Sequence, residues 1–181
     1  MSDKQCLILL VGTNPLPNYI TALYLADRIG QLYLVHTEKK TNGASGTYDI
    51  AKGLKKQLEA RRPDVFTEGK ISLVSLSSEC DAEEIYQNLD EFLNLPENAV
   101  AHLNYTGGTK AMAVHVYQWV KRQGEKRKAV SPPAQTLFSY LDARTYRLIY
   151  DEGVKEESDD LREKVLLENI NELLALHGYP H

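Results

Sequence analysis

Cys6-Leu7-Ile8-Leu9-Leu10-Val11 is an unbroken apolar run, and Gly12-Thr13-Asn14-Pro15-Leu16-Pro17-Asn18 follows it directly. A strand with one wet face alternates apolar and polar residues. This run does not, so it reads as a strand covered on both faces, as in a parallel sheet layered between helices. Gly12 and the two prolines stop it. A helical pattern covers 18–29, with Ile20, Leu23, Tyr24 and Ala26 on one side and Gly30 as its end.

The same alternation of strand and helix continues along the chain. Strands are predicted over 32–36, 71–75 and 99–104. Asp49 opens a helix running to Arg61 and stopped by Pro63, and Asp81 opens another that ends near Pro96. In the latter, Ile85, Leu89, Phe92 and Leu93 face inward. A fourth helix covers 109–123, and residues 41–46 form a polar, mobile loop. Two last strands, 135–141 and 146–150, are joined by a link too short for a crossover, so they form an antiparallel hairpin. An acidic stretch at 151–160 marks a hinge. Beyond it an amphipathic helix carries Leu166, Ile170, Leu173 and Leu174. The fold class is α/β: a Rossmann-like, mostly parallel sheet with a C-terminal antiparallel hairpin and a C-terminal connector helix. In such sheets ligands sit beyond the carboxyl ends of the strands, where the strand order reverses. The loops after strands one and four are therefore the informative ones.

Composition narrows the function. The 181 residues suit one domain with a short appendage, and 43% of them are apolar. No apolar run approaches the roughly 20 residues that cross a bilayer, and the N-terminus lacks a signal-peptide pattern. The formal net charge of −4 argues against long DNA or RNA, which demands a basic face. Cys6 and Cys80 fall in no metal-binding or redox spacing and read as reduced thiols of a cytoplasmic protein. No metal site, cofactor motif, Ser-His-Asp order or paired-carboxylate motif is visible. His102 and His115 read as structural, and the basic run 121–128 as a solvated helix end.

Asn104-Tyr105-Thr106-Gly107-Gly108-Thr109-Lys110 joins a buried strand to a helix. Gly107 and Gly108 allow positive φ and leave room for a ligand, so that successive amides converge on one anion. The helix N-terminus adds free N–H groups, Thr106 and Thr109 add hydroxyls, and Lys110 adds full charge. The plainer alternative is a tight turn with Thr109 as helix cap. The spacing matches neither a Walker A loop nor a dinucleotide fingerprint. In the first loop, Thr13, Asn14 and Asn18 present polar groups on a backbone stiffened by Pro15 and Pro17. That suits a base or ribose, and a turn capped by Asn18 is the alternative. His36 and Thr37, after strand two, border the pocket.

A proline-bearing loop after strand one, with T-G-G-T-K after strand four, resembles the CARF (CRISPR-associated Rossmann fold) domain over residues 5–150. The match is to domains that precede effector modules in type III CRISPR systems. The resemblance implies a homodimer that shares one cyclic oligoadenylate, most often cyclic tetra-adenylate, and that relays binding to a downstream effector in antiviral defence. It implies ligand contacts from Thr13, Asn14, Pro15, Leu16, Pro17 and Asn18, and from Asn104, Tyr105, Thr106, Gly107, Gly108, Thr109, Lys110 and Met112, with His36 and Thr37 alongside. Residues 1–152 would be the ligand-binding domain and 153–181 a connector or dimer-packing helix. No cofactor, membrane or long nucleic acid is implied. Two other functions fit the same family. One is a ring nuclease in which the ribose 2′-hydroxyl attacks the adjacent phosphate without metal. The other is a transcription regulator, which the single acidic tail helix disfavours.

Overall fold

The computed structural model describes residues 4–38, 46–127, 135–151, 159–165 and 170–177. The strands are β1 (Gln5–Leu10), β2 (Ile29–Thr37), β3 (Ile71–Leu76), β4 (Val100–Asn104), β5 (Thr136–Asp142) and β6 (Arg147–Tyr150). The helices are α1 (Leu16–Leu25), α2 (Tyr48–Arg61), α3 (Ala82–Phe92), α4 (Lys110–Arg127), α5 (Leu161–Lys164) and α6 (Ile170–Leu176). The sheet order is β3-β2-β1-β4-β5-β6, parallel throughout except for β6, which runs antiparallel to β5. The chain winds outward from β1 to β3, then crosses to β4 on the other side of β1. The order therefore reverses between β1 and β4, and their carboxyl ends face the two loops singled out above.

The unbroken apolar reading of β1 is borne out: Leu7 to Val11 have no exposed surface. Burying each such side chain contributes about 1.5–3 kcal/mol. Leu7, Leu9 and Val11 pack under α1, α2 and the C-terminal helices, while Cys6, Ile8 and Leu10 pack under α3 and α4. Six strands with helices on both faces give the predicted α/β, Rossmann-like architecture with its terminal hairpin.

Several local expectations shift. Helix α1 begins at Leu16, not Asn18, because prolines are tolerated in the first helical turn. It gives way to a 3-10 turn at Ala26–Arg28, and Gly30 lies inside β2. Helix α2 starts at Tyr48, one residue before Asp49. Asp81 does cap α3, accepting hydrogen bonds from the Glu83 and Glu84 amides. Phe92, however, is exposed at the last residue of α3. The basic run is not wholly solvated: Arg127 is buried and donates through Nη2 to the carbonyls of Pro96, Glu97 and Ala99. The tail holds two short helices where one was expected. In α6, Leu173 is half-buried and Leu174 exposed, while Leu176 enters the core. Leu166 and most of loop 41–46 and hinge 151–160 lie outside the described residues.

Candidate functional site

The two switch-point loops are packed against each other by their glycines. A Cβ on Gly12 would lie 3.0 Å from the Gly108 amide nitrogen, and one on Gly107 would lie 2.0 Å from the Leu10 carbonyl oxygen. Gly108 has φ +74°, a left-handed backbone suited to glycine. The glycines thus serve the approach of one loop to the other as well as leaving the amides open.

The first loop divides its residues between surface and interior. Thr13 and Asn14 are exposed, Leu16 and Pro17 are half-buried, and Pro15 is buried. Asn14 Oδ1 accepts the Leu16 amide at 3.1 Å, an Asx turn leading into α1, whose N-cap position is Pro15. Asn18 has no exposed surface, and its Nδ2 donates to the Leu10 carbonyl at 2.8 Å. It ties α1 to the end of β1 from inside, in neither of the positions expected of it.

The second loop hangs on a buried polar chain. Asn104 Oδ1 accepts from the Thr106 hydroxyl at 2.7 Å and from its amide at 3.3 Å, while Asn104 Nδ2 donates to Ser139 Oγ at 3.0 Å. Thr106 Oγ1 in turn accepts the Leu141 amide at 2.7 Å. The Thr106 hydroxyl is therefore engaged within the protein. Thr109 Oγ1 accepts the Met112 amide at 3.1 Å and lies 3.2 Å from the Glu79 carbonyl, to which it donates. The cap reading of Thr109 holds. Met112 is buried in the core beneath Gly108. Tyr105 turns toward the hairpin, its hydroxyl donating to Asp151 at 2.6 Å and its ring beside Tyr117 and Tyr140.

What the loops leave open is backbone. Among the described residues, the amides of Gly107, Gly108 and Thr109 have no hydrogen-bond partner. Lys110 is exposed at the first residue of α4 and has no ion-pair partner there either. Free amides at a helix start, with one lysine beside them, are an anion-binding arrangement.

At the end of β2, His36 is buried with its ring 5.3 Å from that of Tyr48. Burial holds its imidazole below the ordinary value, opposed by the Thr37 carbonyl and the Glu38 carboxylate. His36, Glu38, Tyr48, Leu73 and Ser75 line an open depression of about 500 Å³. The Thr37 hydroxyl receives the Thr47 amide at 3.2 Å and closes the base of the β2–α2 connection. Burial, then the bond to Asp151, holds the Tyr105 phenol above its usual range. Burial lowers His102 to about 4. Among the described residues, no group of His, Cys, Asp or Glu is arranged to hold a metal ion.

The family model of the Card1 CARF domain matches residues 6–148. The chain belongs to this CARF family. No curated protein matches it. Two solved structures share the fold. One is Can2 from Sulfobacillus thermosulfidooxidans in complex with cyclic tetra-adenylate, with TM-score 0.63 and 19% identity over 95% of this chain and 40% of that one. The other is protein VC1899 from Vibrio cholerae, with TM-score 0.64 and 9% identity over 95% of this chain and 39% of that one. The chain spans about two fifths of the length of each.

In this CARF domain the sequence reading missed Ser139. It sits in β5 between Leu137 and Leu141, at an inward position of an alternating strand. A hydroxyl at such a position requires a buried partner, which was the available signal. Which partner it finds depends on the β4–β5 pairing, where Asn104 stands opposite Ser139.

Proposed function

We propose that this chain is a cyclic oligoadenylate sensor domain, with cyclic tetra-adenylate as its ligand, acting in a type III CRISPR antiviral effector. The observation that carries the reading is the set of unpartnered amides of Gly107, Gly108 and Thr109, beside Lys110, at the switch point of a CARF-family sheet. Each such amide can donate to a phosphate oxygen, and Lys110 adds a charge-assisted contact. Thr13 and Asn14, exposed on the facing loop, are available to bases and riboses. Asn18, Thr106 and Met112 support this surface from below. Can2, which shares the fold, was captured with cyclic tetra-adenylate.

A ring of four adenylates has even symmetry, so the reading assigns one ring to a homodimer that presents the same loops twice. Titration calorimetry with cyclic tetra-adenylate is expected to give one ring per two chains. One ring per chain would contradict the shared site. Chromatography after incubation is expected to return the ring intact; linear products would instead make the domain a ring nuclease.

A further inference from the structure

A line of polar groups, buried at its centre, crosses the sheet beneath the loop. Gln5 Oε1, on β1, lies 3.0 Å from His102 Nδ1 on β4. His102 Nε2 lies 2.7 Å from Ser139 Oγ on β5, which also accepts from Asn104 Nδ2. Asn104 then holds both the amide and the hydroxyl of Thr106, and Thr106 takes the Leu141 amide. His102, Asn104 and Ser139 have no exposed surface, so none can exchange these bonds for water.

The donors run in one consistent direction. With Gln5 Oε1 as acceptor, His102 carries its proton on Nδ1. Its Nε2 is then an acceptor, and Ser139 must donate to it. The Ser139 oxygen is left free to accept from Asn104 Nδ2, which aims Asn104 Oδ1 at Thr106. Every member has its partner, the condition under which a buried network rigidifies its surroundings. Ser139 and His102 have no exposed surface with which to meet a ligand. The far end of the network holds the residue immediately before Gly107.

We propose that Ser139, oriented by a neutral His102, is a positioning residue that holds Asn104 and Thr106 so that the Gly107–Thr109 amides keep their ligand-ready geometry. The proposal rests on the reading of that loop as the ligand site. Ser139→Ala leaves Asn104 free to turn its amide, and cyclic tetra-adenylate affinity is expected to fall about tenfold, as outer partners of a site's contact groups ordinarily produce. Loss of a buried hydroxyl also lowers melting temperature, so Leu89→Ala serves as a destabilised comparison. Leu89 is buried in α3 on the other side of the sheet from Ser139. At a temperature well below both melting points, Leu89→Ala is expected to bind like the unmodified chain. Equal affinity of Ser139→Ala and the unmodified chain, or equal loss in both variants, would overturn the proposal. Nitrogen NMR of the unmodified chain supplies a readout independent of any variant. His102 is expected as the neutral Nδ1–H form; an Nε2–H form would make Ser139 the acceptor of that bond, leave its hydroxyl proton unoriented by His102, and overturn the proposal. Failure of the unmodified chain to bind cyclic tetra-adenylate or inorganic phosphate overturns the site reading itself, and the positioning role with it.

Discussion

Gly107 lies so close to Leu10 that a Cβ built on it would stand 2.0 Å from the Leu10 carbonyl oxygen. The same oxygen accepts the Asn18 side-chain amide at 2.8 Å. The end of β1, the start of α1 and the loop after β4 therefore meet at one atom. Gly107→Ala cannot be absorbed by a side-chain rotation, because the obstacle is backbone. The loop must move outward, and melting temperature and cyclic tetra-adenylate affinity are both expected to fall. Gly53, in α2, has nothing within 4 Å of a built Cβ. Gly53→Ala is expected to gain about 0.5–1 kcal/mol by helix propensity. Thermal melting of the pair checks this, and a Gly107→Ala variant as stable as the parent would contradict the close approach.

Asn18→Ala removes the tie to Leu10 and leaves a buried carbonyl short of its donor. The expected cost is about 1–3 kcal/mol of stability. Asn14→Ala loses only an exposed hydrogen bond to the Leu16 amide, about 1 kcal/mol. The proposed function assigns ligand contact to exposed Asn14, so ring affinity should fall in Asn14→Ala at a temperature where both variants are folded. Denaturant unfolding and calorimetry on each separate the roles. An Asn18→Ala chain of unchanged stability would refute its role as an interior tie.

Lys110 is exposed and unpaired among the described residues. As the first residue of α4 it stands where the helix dipole disfavours a cation. Lys110→Ala should leave melting temperature unchanged and weaken cyclic tetra-adenylate about 10- to 150-fold, the worth of a charge-assisted hydrogen bond. The parent's affinity should fall more steeply with salt than the variant's. Unchanged affinity would leave the loop amides as the whole anion site.

Acid should loosen the fold through His102. Its ordinary value of 6.5 is lowered to about 4, first by burial and then by the nearby Arg28 charge. Between those values the unfolded chain holds a proton that the folded chain refuses. Stability is therefore complete above about pH 6.5 and declines as the pH falls toward about 4, by about 3 kcal/mol in all. Buried His36 acts in the same direction, so the comparison is with His102→Gln, which cannot titrate. Its melting temperature should vary less with pH across that window than the parent's. Identical slopes would show that His102 titrates normally.

The sheet was legible because it depends on local pattern. An apolar run without alternation has to be covered twice, and repeated strand–helix units have to wind a parallel sheet. Asn104 to Lys110 stood out by composition, and in the fold its glycines serve the close approach of the loops and its threonines hold internal hydrogen bonds. The helix boundaries slipped at Asn18 and Gly30 because local propensity is weak beside packing: prolines fit the first turn of α1, and Gly30 falls inside β2, at the irregularity where pairing with β1 steps from Ile29 to Gln31.

What sequence could not determine was how each polar residue spends its hydrogen bonds. Asn14 and Asn18 share a type and a loop, yet one faces solvent and the other reaches Leu10 from inside. Thr106 looked like a ligand hydroxyl and is consumed by Asn104 and Leu141, whose strand pairs with β4 only once the sheet is assembled. Ser139 and His102 lie 37 positions apart and are joined at 2.7 Å. A side chain's chemistry is written in its identity, but its partner is set by strand register and by which face of the sheet it occupies. Those are properties of the assembled core: pairing β1, β4 and β5 in this register buries His102, Asn104 and Ser139 on one face beside half-buried Gln5, where each must find its hydrogen bonds among the others.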